Sequence, residues 1–170
     1  MAGGSITALV DDLLSAEKTL QGVPDWRVVG NGEEYRLVLP MFVDGRSIDA
    51  SVEIDAYPNA PVLRYRVMLN VEKCVWRIDY TDYERHINPL DTFSQITPYS
   101  FTCPHYHSWL DNRRYATQHS LPRRLLIARP LPDHLPSKSF DAVFRWFCGE
   151  TNIFQPPSDM VSLPNKTRLI

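Results

Sequence analysis

The chain has 170 residues, 44% of them hydrophobic and 22% charged, with a net charge of −2. That length suits one domain with its own core, and the composition is ordinary for a globular protein. The near-neutral balance excludes a global pull toward nucleic acid or an anionic membrane.

Three cysteines without paired spacing argue against a disulfide scaffold and for a reducing cytoplasm. Residues 1–5 carry no basic segment, and the apolar stretch 6–20 is broken by Asp11, Asp12, Glu17 and Lys18. A cytoplasmic chain with no secretory signal and no bilayer-spanning run is therefore expected.

In chain order, Ile6, Leu9, Val10, Leu13, Leu14 and Leu20 fall near helical spacing, which predicts an amphipathic helix capped by Ser5 and stopped at Gly22-Val23-Pro24. Trp26 to Val29 reads as a short strand. Tyr35, Leu37 and Leu39 then mark a second strand, and Asp44-Gly45 signals a hairpin. Ile48, Ala50, Val52 and Ile54 alternate with polar residues, so one face is buried and one wet. Strands over 62–71 and 74–80 complete a meander of about four antiparallel strands. Ten of the fourteen prolines fall after position 85, a clustering that predicts mostly irregular chain over 84–136 with a short buried segment at 125–128. Phe140, Val143, Phe144 and Phe147 mark a second helix, capped by Ser137 or Ser139 and ending near Gly149. Pro156-Pro157 opens a polar tail.

The richest concentration of reactive groups is Cys103-Pro104-His105-Tyr106-His107-Ser108-Trp109-Leu110-Asp111-Asn112-Arg113. A thiolate attacks carbonyls and thioesters near neutral pH, and neighbouring imidazolium or guanidinium lowers a thiol's pKa. The segment therefore reads as a nucleophilic cysteine site. In an extended loop Cys103, His105 and His107 share a face, because side chains alternate. Other readings stay open. His105 and His107 could ligate a metal with His86 or Asp111, or Trp109 to Asn112 could be a loop whose polar groups satisfy one another. Cys74 and Cys148 read as buried structural thiols.

A first helix, a meander, a corner at Tyr57-Pro58-Asn59-Ala60-Pro61, a His86-Ile87-Asn88-Pro89 element and a loop cysteine at Cys103 follow one another along the chain. In the order of these parts, with His86 to Pro89 as a shuffled His-Pro-Asn element, the chain resembles the ubiquitin-conjugating-enzyme family. The stretch from Asn88 to Cys103 is longer than in the eukaryotic enzymes. The Pro104 to Trp109 run and the aromatic helix Phe144-Arg145-Trp146-Phe147 look more like the stand-alone conjugating-enzyme-like proteins of bacterial CBASS antiphage operons.

The resemblance implies an α+β fold: N-terminal helix, antiparallel meander, long catalytic loop, C-terminal helix. It implies one domain over 1–154 with a tail or arm at 155–170. It further implies acyl transfer through a Cys103 thioester, joining the C-terminus of a protein to a lysine. The protein would be a cGAS/DncV-like nucleotidyltransferase, with a ubiquitin-like protein or an activating enzyme as further partner. Asn88 stands at the position of the family's asparagine, and Asn112 is a second candidate to stabilise the oxyanion. His105 and His107 are candidate proton donors to a leaving amine. Arg113 and Arg114 are candidates to bind a terminal carboxylate or to raise the thiolate fraction. Trp109 is placed with them on the substrate side, its simpler reading being a loop anchor. No cofactor or metal is implied. A non-catalytic adaptor and a histidine-based metal hydrolase are the rival functions.

Overall fold

The computed structural model describes residues 5–90, 98–117, 119–154 and 161–165. Helix α1 spans Ile6–Ser15, and the Ser5 hydroxyl accepts from the Thr7 N–H at its start. It stops five residues short of Leu20 because Lys18 is fully buried and donates to the carbonyls of Leu13, Leu14 and Ala16 at 2.7, 3.3 and 2.6 Å. Those are acceptors that a helix end leaves open. The chain then enters strand β1, Thr19–Leu20.

Further strands are β2 (Arg27–Val29), β3 (Glu34–Val43), β4 (Arg46–Ala56), β5 (Tyr65–Val71) and β6 (Lys73–Tyr80). After them come β7 (His86–Ile87), β8 (Ser100–Phe101), β9 (His105–His107) and β10 (Arg129–Pro130). Helix α2 is the single turn Trp109–Asn112, and α3 spans Phe140–Glu150 with Ser139 as its N-cap. Asp44 and Gly45 both take positive φ, 49° and 72°, which is the turn that joins two right-twisted strands without splaying them.

The architecture overturns the expected ubiquitin-conjugating α+β layout. The described residues are mostly sheet: an eight-stranded antiparallel sheet in the order β1-β3-β4-β5-β6-β9-β10, with β2 also on β3, and three short α-helices. The predicted meander strands are its middle, not its whole. The physical reason lies in 103–107, expected as an extended catalytic loop. His105-Tyr106-His107 alternates polar and aromatic side chains, so it pairs along β6 as Arg77↔His107, Ile78↔Tyr106 and Asp79↔His105. Strand β6 is thus covered rather than left as an edge. Strands β7 and β8 form a separate two-stranded sheet within the stretch expected to be irregular.

One face of the large sheet makes the core. The cross-strand row Leu37, Ile54, Val67, Ile78, Tyr106 lies on it. Phe147 of α3 stands edge-on to Trp76 at 5.2 Å, and Phe140 meets Tyr65 at 5.1 Å. Val10, Val143, Phe144, Phe147 and Cys148 belong to the same buried cluster. Each such side chain contributes roughly 1.5–3 kcal/mol by leaving water. In the tail, Val161 is buried and the carbonyl of Ser162 accepts from Trp26 Nε1 at 3.1 Å. Pro156-Pro157 and the rest of 155–160 and 166–170 lie outside the described residues.

Candidate functional site

The opposite face of the sheet is polar, and its register builds the site. One row across the strands reads Arg36, Asp55, Arg66, Asp79, His105; the next reads Val38, Glu53, Met68, Arg77, His107. Opposite charges stand side by side. Arg36 Nε donates to Asp55 at 2.8 Å, Arg66 Nε to Asp79 Oδ1 at 2.7 Å, and Arg77 Nε to Asp79 Oδ2 at 2.7 Å. Burial opposes ionisation of Asp79. The hydrogen bond with His107 and the guanidinium groups of Arg77 and Arg66 outweigh it and hold the carboxyl well below the usual carboxylate range.

Both rows end at the histidines of β9, where His105 and His107 are buried. The short β7 brings His86 over them. Ring centroids are 5.1 Å apart for His86 and His105, 5.0 Å for His86 and His107, and 5.3 Å for His105 and His107. One ring nitrogen from each of the three lies within 4.8 Å of those of the other two. Phe101 of β8 packs on both His86 and His105 at 5.5 Å.

Hydrogen bonding sorts the ring nitrogens. Nε2 of His86 lies 3.2 Å from both Asn88 Oδ1 and the Leu126 carbonyl, which are acceptors, so it carries the proton and Nδ1 keeps a lone pair. Nδ1 of His105 donates to the Cys103 carbonyl at 3.0 Å, and its Nε2 lies 3.6 Å from Asp79 Oδ2. Nε2 of His107 lies 3.4 Å from Asp79 Oδ2 and 2.9 Å from Arg77 Nη2. His107 Nδ1 is buried with no hydrogen-bond partner. Burial drives the imidazolium of His107 down to about 4, against the pull of Asp79, so the ring is neutral at pH 7. Burial and the neighbouring His105 also lower His86. Neutral imidazole is the form that binds a metal. A remaining N–H held by a carbonyl or carboxylate is the usual support of a metal-bound histidine. His86, His105 and His107 would hold a zinc ion there, which would supply a Lewis acid and a water activated for attack.

The other predicted site residues go elsewhere. Cys103 lies just before β9 and is half-buried. It lines a cavity of about 250 Å³ with Tyr80, Asp82, Pro104, Leu131 and Asp133, and none of the three histidines lines that cavity. Burial raises its thiol pKa, and Asp133 and Asp82 raise it further. Asn88 and Asn112 are buried and act as surrogate strand partners for the 126–128 backbone. Asn88 exchanges bonds with Ala128, accepting at 2.8 Å and donating at 3.0 Å. Asn112 accepts from the N–H groups of Leu126 and Ile127 at 2.6 and 2.8 Å and donates to the carbonyls of Ile127 and Ser108, both at 2.9 Å.

Trp109 is a buried anchor whose indole donates to Asp11 at 2.8 Å. Arg113 pairs with the same carboxylate, and Arg114 Nε donates to the Asp111 carbonyl at 3.3 Å. Asp111, the alternative metal ligand, accepts from Arg129 Nε and Nη2 at 2.8 and 2.7 Å. The residues that sequence reading missed are Arg66, Arg77 and Asp79. Their only signal was alternation with Val67, Ile78 and Tyr80, which puts them on the wet face of their strands.

Comparison with protein-family models, curated proteins and solved structures finds no match. No helix among the described residues is long and apolar enough to cross a membrane.

Proposed function

We propose that the chain binds a divalent first-row transition metal ion through His86, His105 and His107 and uses it as a hydrolytic centre. The observation that carries this reading is the convergence of three imidazoles, one ring nitrogen of each within 4.8 Å of those of the other two, with Asn88, the Cys103 carbonyl and Asp79 placed to orient the rings. An all-imidazole set suits zinc, copper, iron or nickel. Three protein ligands leave a fourth position for water, whose pKa a bound zinc lowers to about 7. Asp79, Asn88 and the 103–105 backbone are positioning groups: they fix ring orientation and tautomer rather than touch substrate.

The test is zinc titration by calorimetry into dialysed protein, with the visible spectrum of the cobalt-loaded form as a second readout. One site per chain is expected, lost in His105→Ala and in His107→Ala, with folding checked by circular dichroism. The zinc-loaded protein, and not the metal-free protein, should hydrolyse an activated ester such as 4-nitrophenyl acetate or phosphate. Absence of zinc and cobalt binding to the folded wild type sinks the proposal.

A second reading keeps Cys103 as the nucleophile of an acyl transfer from a protein C-terminus to a lysine. A cGAS/DncV-like nucleotidyltransferase is its partner. It is favoured by one observation, the place of the thiol on a cavity wall. Intact mass after incubation with such a partner tests it. A thiol-labile adduct absent from Cys103→Ala would support it, and no adduct would end it.

A further inference from the structure

We infer that the metal-loaded centre takes an oxyanion, the phosphate or carboxylate group of its substrate, and that Arg77 is the residue that recognises it. This rests on the metal reading above.

His107 Nε2 has two incompatible neighbours. Arg77 Nη2 at 2.9 Å is a donor and needs a lone pair there; Asp79 Oδ2 at 3.4 Å is an acceptor and needs a proton there. With the lone pair on Nε2, the proton sits on Nδ1, which is buried and has no acceptor. A metal bound at Nδ1 removes the choice. Nε2 must then carry the proton and give it to Asp79, and Arg77 Nη2 loses its acceptor.

Arg77 does not leave when this happens, because its Nε stays bonded to Asp79 Oδ2 at 2.7 Å. Its Nη1 has no protein partner among the described residues. Loading therefore leaves Nη1 and Nη2 together as a planar pair of donors on an anchored side chain. That fork matches two oxygens of a phosphate or carboxylate. The Arg77 side chain is 27% exposed, so an anion can reach it from solvent.

Charge balance points the same way. The connected network holds Arg36, Arg66 and Arg77 against Glu34, Glu53, Asp55 and Asp79, so 3 − 4 = −1. A bound dication makes it −1 + 2 = +1. The metal-free network has no use for an anion, and the loaded one has an uncompensated charge beside a free guanidinium edge.

The experiment titrates inorganic phosphate and, separately, acetate into zinc-loaded and metal-free protein by calorimetry, for wild type, Arg77→Met and Arg77→Lys. In wild type, zinc should raise the affinity for one of the two anions at least tenfold, and by linkage that anion should raise zinc affinity by the same factor. The anion that gains more names the substrate class. Arg77→Met should lose the gain. It should still bind zinc at least as tightly as wild type in anion-free buffer, since the donor competing at His107 Nε2 is gone. Arg77→Lys, a point charge without a fork, should fall between. An unchanged zinc-dependent gain in Arg77→Met means that the metal alone holds the anion and overturns the inference. So does an anion affinity indifferent to zinc in a wild type that binds zinc. Failure of wild type to bind zinc at all instead removes the reading on which the inference rests.

Discussion

Replacing Asn112 separates a structural amide from a catalytic one. Its side chain is fully buried and both ends are engaged: Oδ1 by the N–H groups of Leu126 and Ile127, Nδ2 by the carbonyls of Ser108 and Ile127. Asn112→Ala strands the two N–H groups and the Ile127 carbonyl. The Ser108 carbonyl still receives the Asn112 backbone N–H at 3.3 Å. A buried polar group left without its partner costs about 1–3 kcal/mol. With some relief from water at half-exposed Leu126, the loss should be about 3–6 kcal/mol, a large share of a typical domain's stability. Asn112→Asp keeps the acceptor and turns a second oxygen toward two carbonyls. It should lose a similar amount at pH 7 and recover part of it in acid, where a protonated carboxyl can donate again. Urea denaturation at pH 7 and pH 5 reads both effects through the midpoint, with the slope unchanged. A loss below about 1 kcal/mol in Asn112→Ala would refute the clamp, and lost activity at full stability would return Asn112 to the oxyanion role.

Acidification should act through His107. Its folded pKa of about 4 lies below the reference 6.5, so between these values the unfolded chain binds a proton that the folded chain refuses, and stability falls as pH drops. The fall should approach about 3 kcal/mol by pH 4. Asp79 adds to it, its stabilisation being present above the unfolded carboxylate pKa and lost as pH falls toward its depressed folded value. Urea denaturation at several pH values should show the slope, and His107→Gln should flatten it; an equal slope in the variant would sink the assignment. For the thiols, burial raises Cys103 and pushes Cys74 and Cys148 up to about 11 and about 12. All three should alkylate with iodoacetamide more slowly than free cysteine at pH 7, with half-exposed Cys103 fastest among them. Reaction of Cys103 at or above the free rate would refute this and strengthen the acyl-transfer reading.

Local signals were legible in the sequence where one residue decides the outcome. Ser5 and Ser139 do cap helices, Asp44-Gly45 does turn, and the alternation of Val52 and Ile54 with Glu53 does split a strand into a core side and a wet side. Pairing partners were not legible. His105-Tyr106-His107 is too short to announce a strand, and it becomes one only because β6 offers an unpaired edge. That pairing decided both the fold and the site: it widened the sheet beyond a meander and laid His105 beside Asp79 and His107 beside Arg77. The end of α1 was missed for the same kind of reason. In the sequence Lys18 only breaks the apolar stretch, and its three carbonyl acceptors exist only once the chain has turned.

The charge ladder limits which residues can stand where the histidines stand. Strand by strand it alternates Arg36, Asp55, Arg66, Asp79, so each carboxylate lies between cations and its desolvation is offset on both sides. At β9 the polar face is covered by His86 and by the 125–128 segment, in which Ile127 and Ala128 are fully buried. A lysine there would crowd Arg66 and Arg77, and a glutamate would leave a buried charge opposite Asp79. Neutral imidazole can close the ladder under cover, as a glutamine could. The two differ in what they leave unmet. A glutamine could turn its amide to suit Asp79 and Arg77 together, one end donating and the other accepting. His107 instead satisfies one side and keeps a buried Nδ1 without a partner. An unmet buried group costs about 1–3 kcal/mol, and its ring lies 5.0 and 5.3 Å from the rings of His86 and His105. A structural role gives no reason for that cost, whereas a metal ion bound by the three rings would remove it.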